Sequence, residues 1–316
     1  RLSGRDPLDF ERGRFYPQGL LSGIPGIFKG NMTPFRCLSA HAGGITADLN
    51  HPMAGHRFSL TLKRTGRLVK SRERGGACSD WLTQALDGPG MQAGHDGISI
   101  TLPGRDRFHR QDEAPDPVFY AQDRLVRHVD ARASRNLSGW YQGNIRQGSR
   151  VLDLMAGFQS HLPEDLGLKQ VHGLGLNEAE MSNNRALDAY TVQDLNTTPT
   201  LHFDDHTFDA AICSLSVEYL VKPVAVFKET ARFLKPGAPF MVTFANRWFP
   251  EKAIGIWEDL HDFERMGLVT AYFNQSGAWR DLSTRSIRGY PRPRDDRHYP
   301  KLRYSDPVYM VSGIKS

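Results

Sequence analysis

The chain has 316 residues, 39% of them hydrophobic and 24% charged, with 40 lysines and arginines against 35 aspartates and glutamates. Those proportions describe a soluble globular protein of one large domain or two modest ones, and the longest apolar runs fall well short of the ~18 residues that a membrane span needs. The formal charge of +5 permits an acidic or nucleic-acid partner without demanding one, and three cysteines (Cys37, Cys78, Cys213) without a C-x-x-C pair give neither a disulfide framework nor a zinc site.

Residues 1–19 are rich in Arg, Gly and Pro, show no sustained period and read as a polar arm. No charged-then-apolar leader precedes them, so a cytoplasmic location is expected. Between residues 20 and 64, Gly, Pro and Asn clusters punctuate short candidate strands at Phe35–Leu38, Ile45–Leu49 and Phe58–Leu62, a small and mostly antiparallel β module. Residues 65–115 form an irregular linker with one short amphipathic stretch, Trp81 to Leu86. Its cationic run, Lys63 to Arg74, reads as a solvated face because no aromatic residues interleave with the charges.

From about residue 116 apolar residues recur at four-residue steps, Leu125, Val129, Ala133 and Leu137, which predicts a long helix. Tyr120, Arg124 and His128 would then share one polar face. Strands and helices alternate from there to the C-terminus. Strands are expected at Val151–Leu154, Val171–Leu176, about Thr191–Gln193, Phe208–Ser214 and Phe240–Phe244, and two more near Leu282–Ile287 and Pro307–Ile314. Helices are expected from Glu178, over Pro223–Leu234 with an exit at Lys235-Pro236-Gly237, and from about Pro250. Such alternation predicts an α/β fold with a parallel sheet covered on both faces and an antiparallel last strand.

Four segments carry a family resemblance: Val151-Leu152-Asp153-Leu154, Gly175-Leu176-Asn177, Phe208 to Ser214, and Phe233-Leu234-Lys235-Pro236-Gly237. With them, residues 116–316 resemble a class I S-adenosylmethionine-dependent methyltransferase of the type 11 kind. The resemblance implies a Rossmann-like seven-stranded sheet and S-adenosylmethionine as cofactor, leaving S-adenosylhomocysteine as product. Separately, Asn50-His51-Pro52-Met53-Ala54-Gly55 and the alternating strand after it resemble part of an FKBP-type, SlyD-like module over residues 20–64. The family has an aromatic pocket residue where this strand carries Leu60, so a structural or substrate-presenting module is expected, not an isomerase.

The methyltransferase resemblance implies a cofactor site on the turn after Leu154 (Met155, Ala156, Gly157). Asp153 would hydrogen-bond the amino-acid portion, Asp194 the adenine amino group with Leu195 against the base, and Asn177 a ribose oxygen. Ser214, Leu215 and Ser216 would lie under the sulfonium, with Tyr120 and Arg124 covering the cofactor and Arg124 beside its carboxylate. Asp153 could instead cap a helix, and Asp194 could simply make an Asx-turn. Candidate bases are His161, Glu218, Tyr219 and Asn246. The chain departs from the family pattern at Met155 and Gln159, and at Gly175, where the family has an acid that binds the ribose hydroxyls.

The expected function is methyl transfer to an acceptor, small or macromolecular, that the sequence does not name; no metal and no membrane partner are expected. Two alternatives remain open. One is a non-catalytic methyltransferase-like binding protein with a client-contacting β module. The other is an RNA-modifying enzyme, because Arg285, Arg288, Arg292, Arg294, Arg297 and Arg303 interleave with Tyr290, Tyr299 and Tyr304; nucleic acid is not the favoured partner, since Asp295, Asp296 and Asp306 dilute that charge.

Overall fold

The structure is a computed structural model that describes residues 10–31, 33–51, 54 and 108–316. The strand expected at Phe58–Leu62, the Trp81–Leu86 stretch and the cationic run at 63–74 lie outside these residues. The chain divides into two compact units, residues 1–100 and 101–316.

In the first unit three antiparallel strands, β1 (Phe15–Pro17), β2 (Pro34–His41) and β3 (Gly44–Asp48), make one sheet in that order. Phe15–Pro17, within the expected arm, are therefore a strand of this sheet. Phe10, Phe15 and Tyr16 are almost fully buried, and the ring of Phe10 lies 4.5 Å from Tyr16 and 6.3 Å from Phe35. Burying three aromatic rings outweighs the polar residues between them, and Arg36 is accommodated by lying over the Phe15 ring and donating to the Gly13 carbonyl. Most of the segment from residue 50 to residue 62 that carries the resemblance to an FKBP-type module lies outside the described residues.

The second unit is built on seven strands: β4 (Arg150–Leu154), β5 (Gln170–Gly175), β6 (Ala189–Val192), β7 (Ala210–Ser214), β8 (Pro239–Ala245), β9 (Trp279–Ile287) and β10 (Val308–Lys315). Their order is β6-β5-β4-β7-β8-β10-β9. The first five run parallel, and β10 is antiparallel to both β8 and β9. This is the α/β sheet expected of a class I methyltransferase.

Six α-helices accompany it: α1 (Asp116–Phe119), α2 (Ala131–Asn144), α3 (Glu178–Ser182), α4 (Pro223–Phe233), α5 (Gly255–Asp259) and α6 (Asp262–Ser276). Alternation along each strand divides the core between the two faces. Met241 joins Leu137 and Tyr141 of α2, whereas its neighbour Phe240 packs on Phe227 of α4 and Phe273 of α6, with ring centroids 4.9 and 5.5 Å away.

The long helix expected from residue 116 is broken. α1 stops at Phe119, residues 120–130 are irregular, and α2 begins only at Ala131. Leu125 and Val126 are about half exposed. The cause is competition for the backbone. Asp130 caps α2 by accepting from the amides of Arg132 and Ala133 at 2.8 and 3.1 Å. Asn177 donates to the Tyr120 carbonyl at 2.9 Å, and Glu180 accepts from the Arg124 amide at 2.8 Å. Tyr120, Arg124 and His128 thus lie on an irregular roof segment, not on a helix face.

The end of the expected linker is also built in. The Lys252 ammonium is fully buried, donates to the Ala114 carbonyl at 2.7 Å and pairs with Asp112 and Asp116, while Arg110 pairs with Asp116 at 2.7 Å. In the excursion between β9 and β10, Arg292 is buried among Asp306, Asp296 at 3.0 Å and Asp130 at 3.6 Å. It locks that excursion to the start of α2 and is removed from any RNA-facing surface.

Candidate functional site

β4 ends in a turn that the rest of the second unit closes around. Beyond the carboxyl ends of β4, β5, β6, β7 and β8 lies a cavity of about 340 Å³, the place where open α/β sheets take their ligands. Asp153, Met155, Ala156, Gly157, Asn177, Asp194, Leu195, Ser214, Leu215 and Ser216 all line it, as do Tyr120 and Arg124 from the roof.

Asp153 is 1% exposed, and its Oδ2 has no partner within the protein. Burial pushes its carboxyl up to about 7, partly offset by the Ser160 hydroxyl. It does not cap a helix. Three non-glycine residues that line the cavity, Met155, His161 and Leu215, hold left-handed backbone at φ 56°, 58° and 55°. Backbone strain of this sort costs about 1–3 kcal/mol per residue and concentrates at ligand sites.

Gly157 and Gly175 are dictated by close approach. A Cβ on Gly157 would come within 2.9 Å of the Glu180 carboxylate, and one on Gly175 within 2.1 Å of the Ala156 carbonyl oxygen. The acid that the family carries at the end of β5 therefore has no room here. Glu180, which the sequence reading passed over, reaches this turn from α3. It accepts from the backbone amide of Arg124 at 2.8 Å while its carboxylate lies against Gly157, so it touches both turn and roof.

Asn177 does other work than ribose binding. Its oxygen caps α3 through the Glu180 amide at 2.8 Å, and both its amide hydrogens go to the roof, to the Tyr120 carbonyl and the Asp123 carboxylate. Asp194 makes an Asx-turn, accepting from the Asn196 amide at 2.8 Å and the Thr197 hydroxyl at 2.7 Å, while still facing the cavity. Ser214 shares a 2.7 Å hydrogen bond with Tyr141, which ties the tip of β7 to α2. Arg124 stacks between the rings of Phe119 and Phe249, 4.7 and 5.1 Å away, and donates to the Phe119 and Gln122 carbonyls.

The candidate bases separate. His161 and Tyr219 line the cavity; Glu218 and Asn246 do not. Burial lowers His161 to about 4, so its imidazole is neutral at pH 7, with Nδ1 3.0 Å from the Ser134 hydroxyl. The Tyr219 hydroxyl accepts from the Phe249 amide at 3.0 Å, and its burial raises its pKa well above the usual value. Asn246 is exposed. Glu218 is fully buried with both oxygens unpartnered, and burial pushes it up to about 8.

Because the folded chain holds that proton to about pH 8 and an unfolded glutamate releases it near 4.5, stability should fall as pH rises between those values. Asp153, raised to about 7, contributes with the same sign. Both groups therefore act together as pH rises toward 8, and removing either makes the decline shallower. Urea unfolding of Glu218→Gln should show a shallower loss of stability with rising pH than the parent chain; a slope equal to that of the parent chain would refute the assignment.

Arg247, Trp248 and Phe249 also line the cavity. They follow β8 directly, and position beyond a parallel strand's carboxyl end was the signal that could have found them. Arg127, His128 and Arg297 join from the roof and the β9–β10 excursion. Buried polar atoms without a protein partner gather here, namely Asp153 Oδ2, Gln159 Oε1, the Tyr120 hydroxyl and Trp248 Nε1. A ligand bearing both donors and acceptors would satisfy them.

Residues 155–242 match the family model of a methyltransferase domain. None of the curated proteins matches the chain. Similar solved structures include a Haloferax volcanii methyltransferase in complex with the Trm112 methyltransferase activator, 16% identical over 58% of this chain and 90% of that one, TM-score 0.41. A Mesorhizobium loti S-adenosylmethionine-dependent methyltransferase is 21% identical over 54% of this chain and 92% of its own, TM-score 0.37. Phosphoethanolamine N-methyltransferase 2 of Haemonchus contortus, solved with phosphomonomethylethanolamine and S-adenosylhomocysteine, is 15% identical over 58% of this chain and 52% of its own, TM-score 0.41. At these TM-scores nothing carries over from those proteins, and the architecture rests on the strand order above.

Proposed function

With a methyltransferase domain as the premise, we propose that this chain binds S-adenosylmethionine in the cavity beyond β4 and transfers its methyl group to an acceptor. The observation that carries the reading is the buried, unpartnered Oδ2 of Asp153 in the wall of that cavity. A buried carboxylate oxygen without a donor is costly, and the cofactor's ammonium group would supply one. Asp194 and Leu195 would take the adenine, Ser214 to Ser216 the region of the sulfonium, and Arg124 the carboxylate. Gln159, with its unpartnered oxygen, replaces Asn177 as a candidate for a ribose hydroxyl.

The bound cofactor supplies an already activated methyl group. The chain's own work is then to hold the acceptor in line and to exclude water, which a roof of Tyr120, Arg124 and Phe249 over a partly closed cavity favours. His161 is neutral at pH 7 and can accept a proton, but a group titrating near 4 is a weak base. Positioning therefore carries more of the rate than proton transfer.

Calorimetry with S-adenosylhomocysteine tests the reading. The parent chain should bind it, and Asp153→Ala should weaken binding at least tenfold, about 1.4 kcal/mol, without lowering Tm. An absence of binding at millimolar ligand would end the proposal.

A further inference from the structure

We propose that the methyl acceptor carries an oxyanion, a carboxylate or a phosphate group, seated against Arg247, Arg297 and Arg127. The proposal rests on the reading that the β4–β6 half of the cavity holds the cofactor. Sheet order separates the two halves. Asp153 ends β4 and Asp194 follows β6, whereas Arg247 follows β8 and Arg297 belongs to the β9–β10 excursion, on the other side of β4.

Charge in the second half is one-sided. Of the acids lining the cavity, Asp153, Glu180 and Asp194 belong to the first half, and Asp116 is already paired with Arg110 and Lys252. Arg127 and Arg297 make no ion pair among the described residues. Arg247 reaches Asp306 only at 3.5 Å, and that carboxylate is held by Arg292.

Two of these guanidinium groups are also brought together. Arg247 Nη2 and Arg297 Nε lie 3.0 and 3.1 Å from the same nitrogen, Nε2 of His298. Both guanidinium groups donate to it, so this ring nitrogen accepts between two cations. The adjacent Trp248 adds a buried indole N–H with no acceptor. This side of the cavity therefore offers donors and positive charge and no unpaired acid, which is the complement of an oxyanion. Arg247 is partly buried, so a charge-assisted bond to it is less screened than one on the open surface.

A small molecule is the favoured bearer. The excursion's Arg292 is buried in an ion-pair cluster, so the loop does not present a continuous cationic face of the kind that tracks a nucleic-acid backbone.

The test uses the full chain saturated with S-adenosylhomocysteine, in low-salt buffer. Inorganic phosphate and, separately, acetate are titrated while the indole N–H signal of Trp248, assigned with Trp248→Phe, is followed by NMR. At least one anion should saturate in the millimolar range, and the preferred one identifies phosphate or carboxylate chemistry. Arg247→Gln with Arg297→Gln should weaken that anion at least tenfold and change the affinity for S-adenosylhomocysteine by less than twofold. Absence of saturable binding by both anions, or binding unaffected by the double substitution, would overturn the proposal. So would a tenfold loss of S-adenosylhomocysteine affinity in the double variant, which would give the arginines to the cofactor. Tight binding of a short single-stranded RNA where neither small anion binds would overturn it in favour of a nucleic-acid surface. Should the parent chain not bind S-adenosylhomocysteine, the proposed function fails, while the same titration of the free chain still decides whether the anion site exists.

Discussion

Gly175→Asp, which puts an acid back at the end of β5, is expected to abolish S-adenosylhomocysteine binding and to lower Tm. The new Cβ would sit 2.1 Å from the Ala156 carbonyl oxygen and 3.1 Å from both the Ala156 carbonyl carbon and Met181 Sδ. The segment that carries this carbonyl cannot simply draw back from β5, because the Ala156 amide is bonded to the Leu174 carbonyl at 2.8 Å. Overpacking typically costs about 1–3 kcal/mol where side chains can shift, and more is expected where the obstacle is backbone. Gly175→Ala should show most of the same loss, since the collision begins at Cβ. Thermal melts and calorimetry on both variants check this. Tighter cofactor binding by Gly175→Asp at an unchanged Tm would show that the turn has room for the acid.

Arg292→Ala should destabilise the chain by about 3–5 kcal/mol, the range for removing one partner of a buried ionic cluster. The loss leaves Asp130 without a cationic partner and Asp306 with only Arg247 at 3.5 Å, both carboxylates being under 5% exposed. It also frees the excursion, because Arg292 donates to the Tyr304 carbonyl as well as to Asp306 and Asp296. Arg292→Lys keeps the charge but loses the planar fork, so it should recover only part of the stability. Urea unfolding of the two variants distinguishes the cases; a change below about 1 kcal/mol for Arg292→Ala, the scale of an exposed pair, would contradict the account.

The sheet was legible because its inner strands are buried on both faces and so read as short apolar runs, as at Val151–Leu154 and in the Ala210–Ser214 segment. Asp153 and the turn after it were legible for the same reason: a strand end next to small residues marks a ligand site by position alone. The roof was not. Leu125, Val129, Ala133 and Leu137 have helical spacing, yet the Tyr120 carbonyl and the Arg124 amide are claimed by Asn177 and Glu180, more than fifty residues away. No local pattern reports such a competitor.

Gly175 shows a related limit. Read against the family pattern it looked like a lost ligand, whereas the packing makes it a requirement of the turn. Arg292 shows a third, since counting arginines along a loop cannot tell a buried ion pair from a binding surface. Glu180 left a partial trace: Asn177-Glu178-Ala179-Glu180 has the spacing of a capping box, which predicts the start of α3. The spacing could not show that the glutamate would turn from its own helix to the Arg124 amide and to Gly157 of the turn.

That carboxylate also has a consequence in time. Glu180 bonds the cover of the site at Arg124 and lies against its floor at Gly157. Lifting the cover breaks a bond to the same side chain that packs on the floor, which couples the two in time. Entry and departure of a bound nucleoside would then share one opening event, in which a bond to a five-residue helix outside the chemistry parts together with the contacts that the cover makes to the ligand.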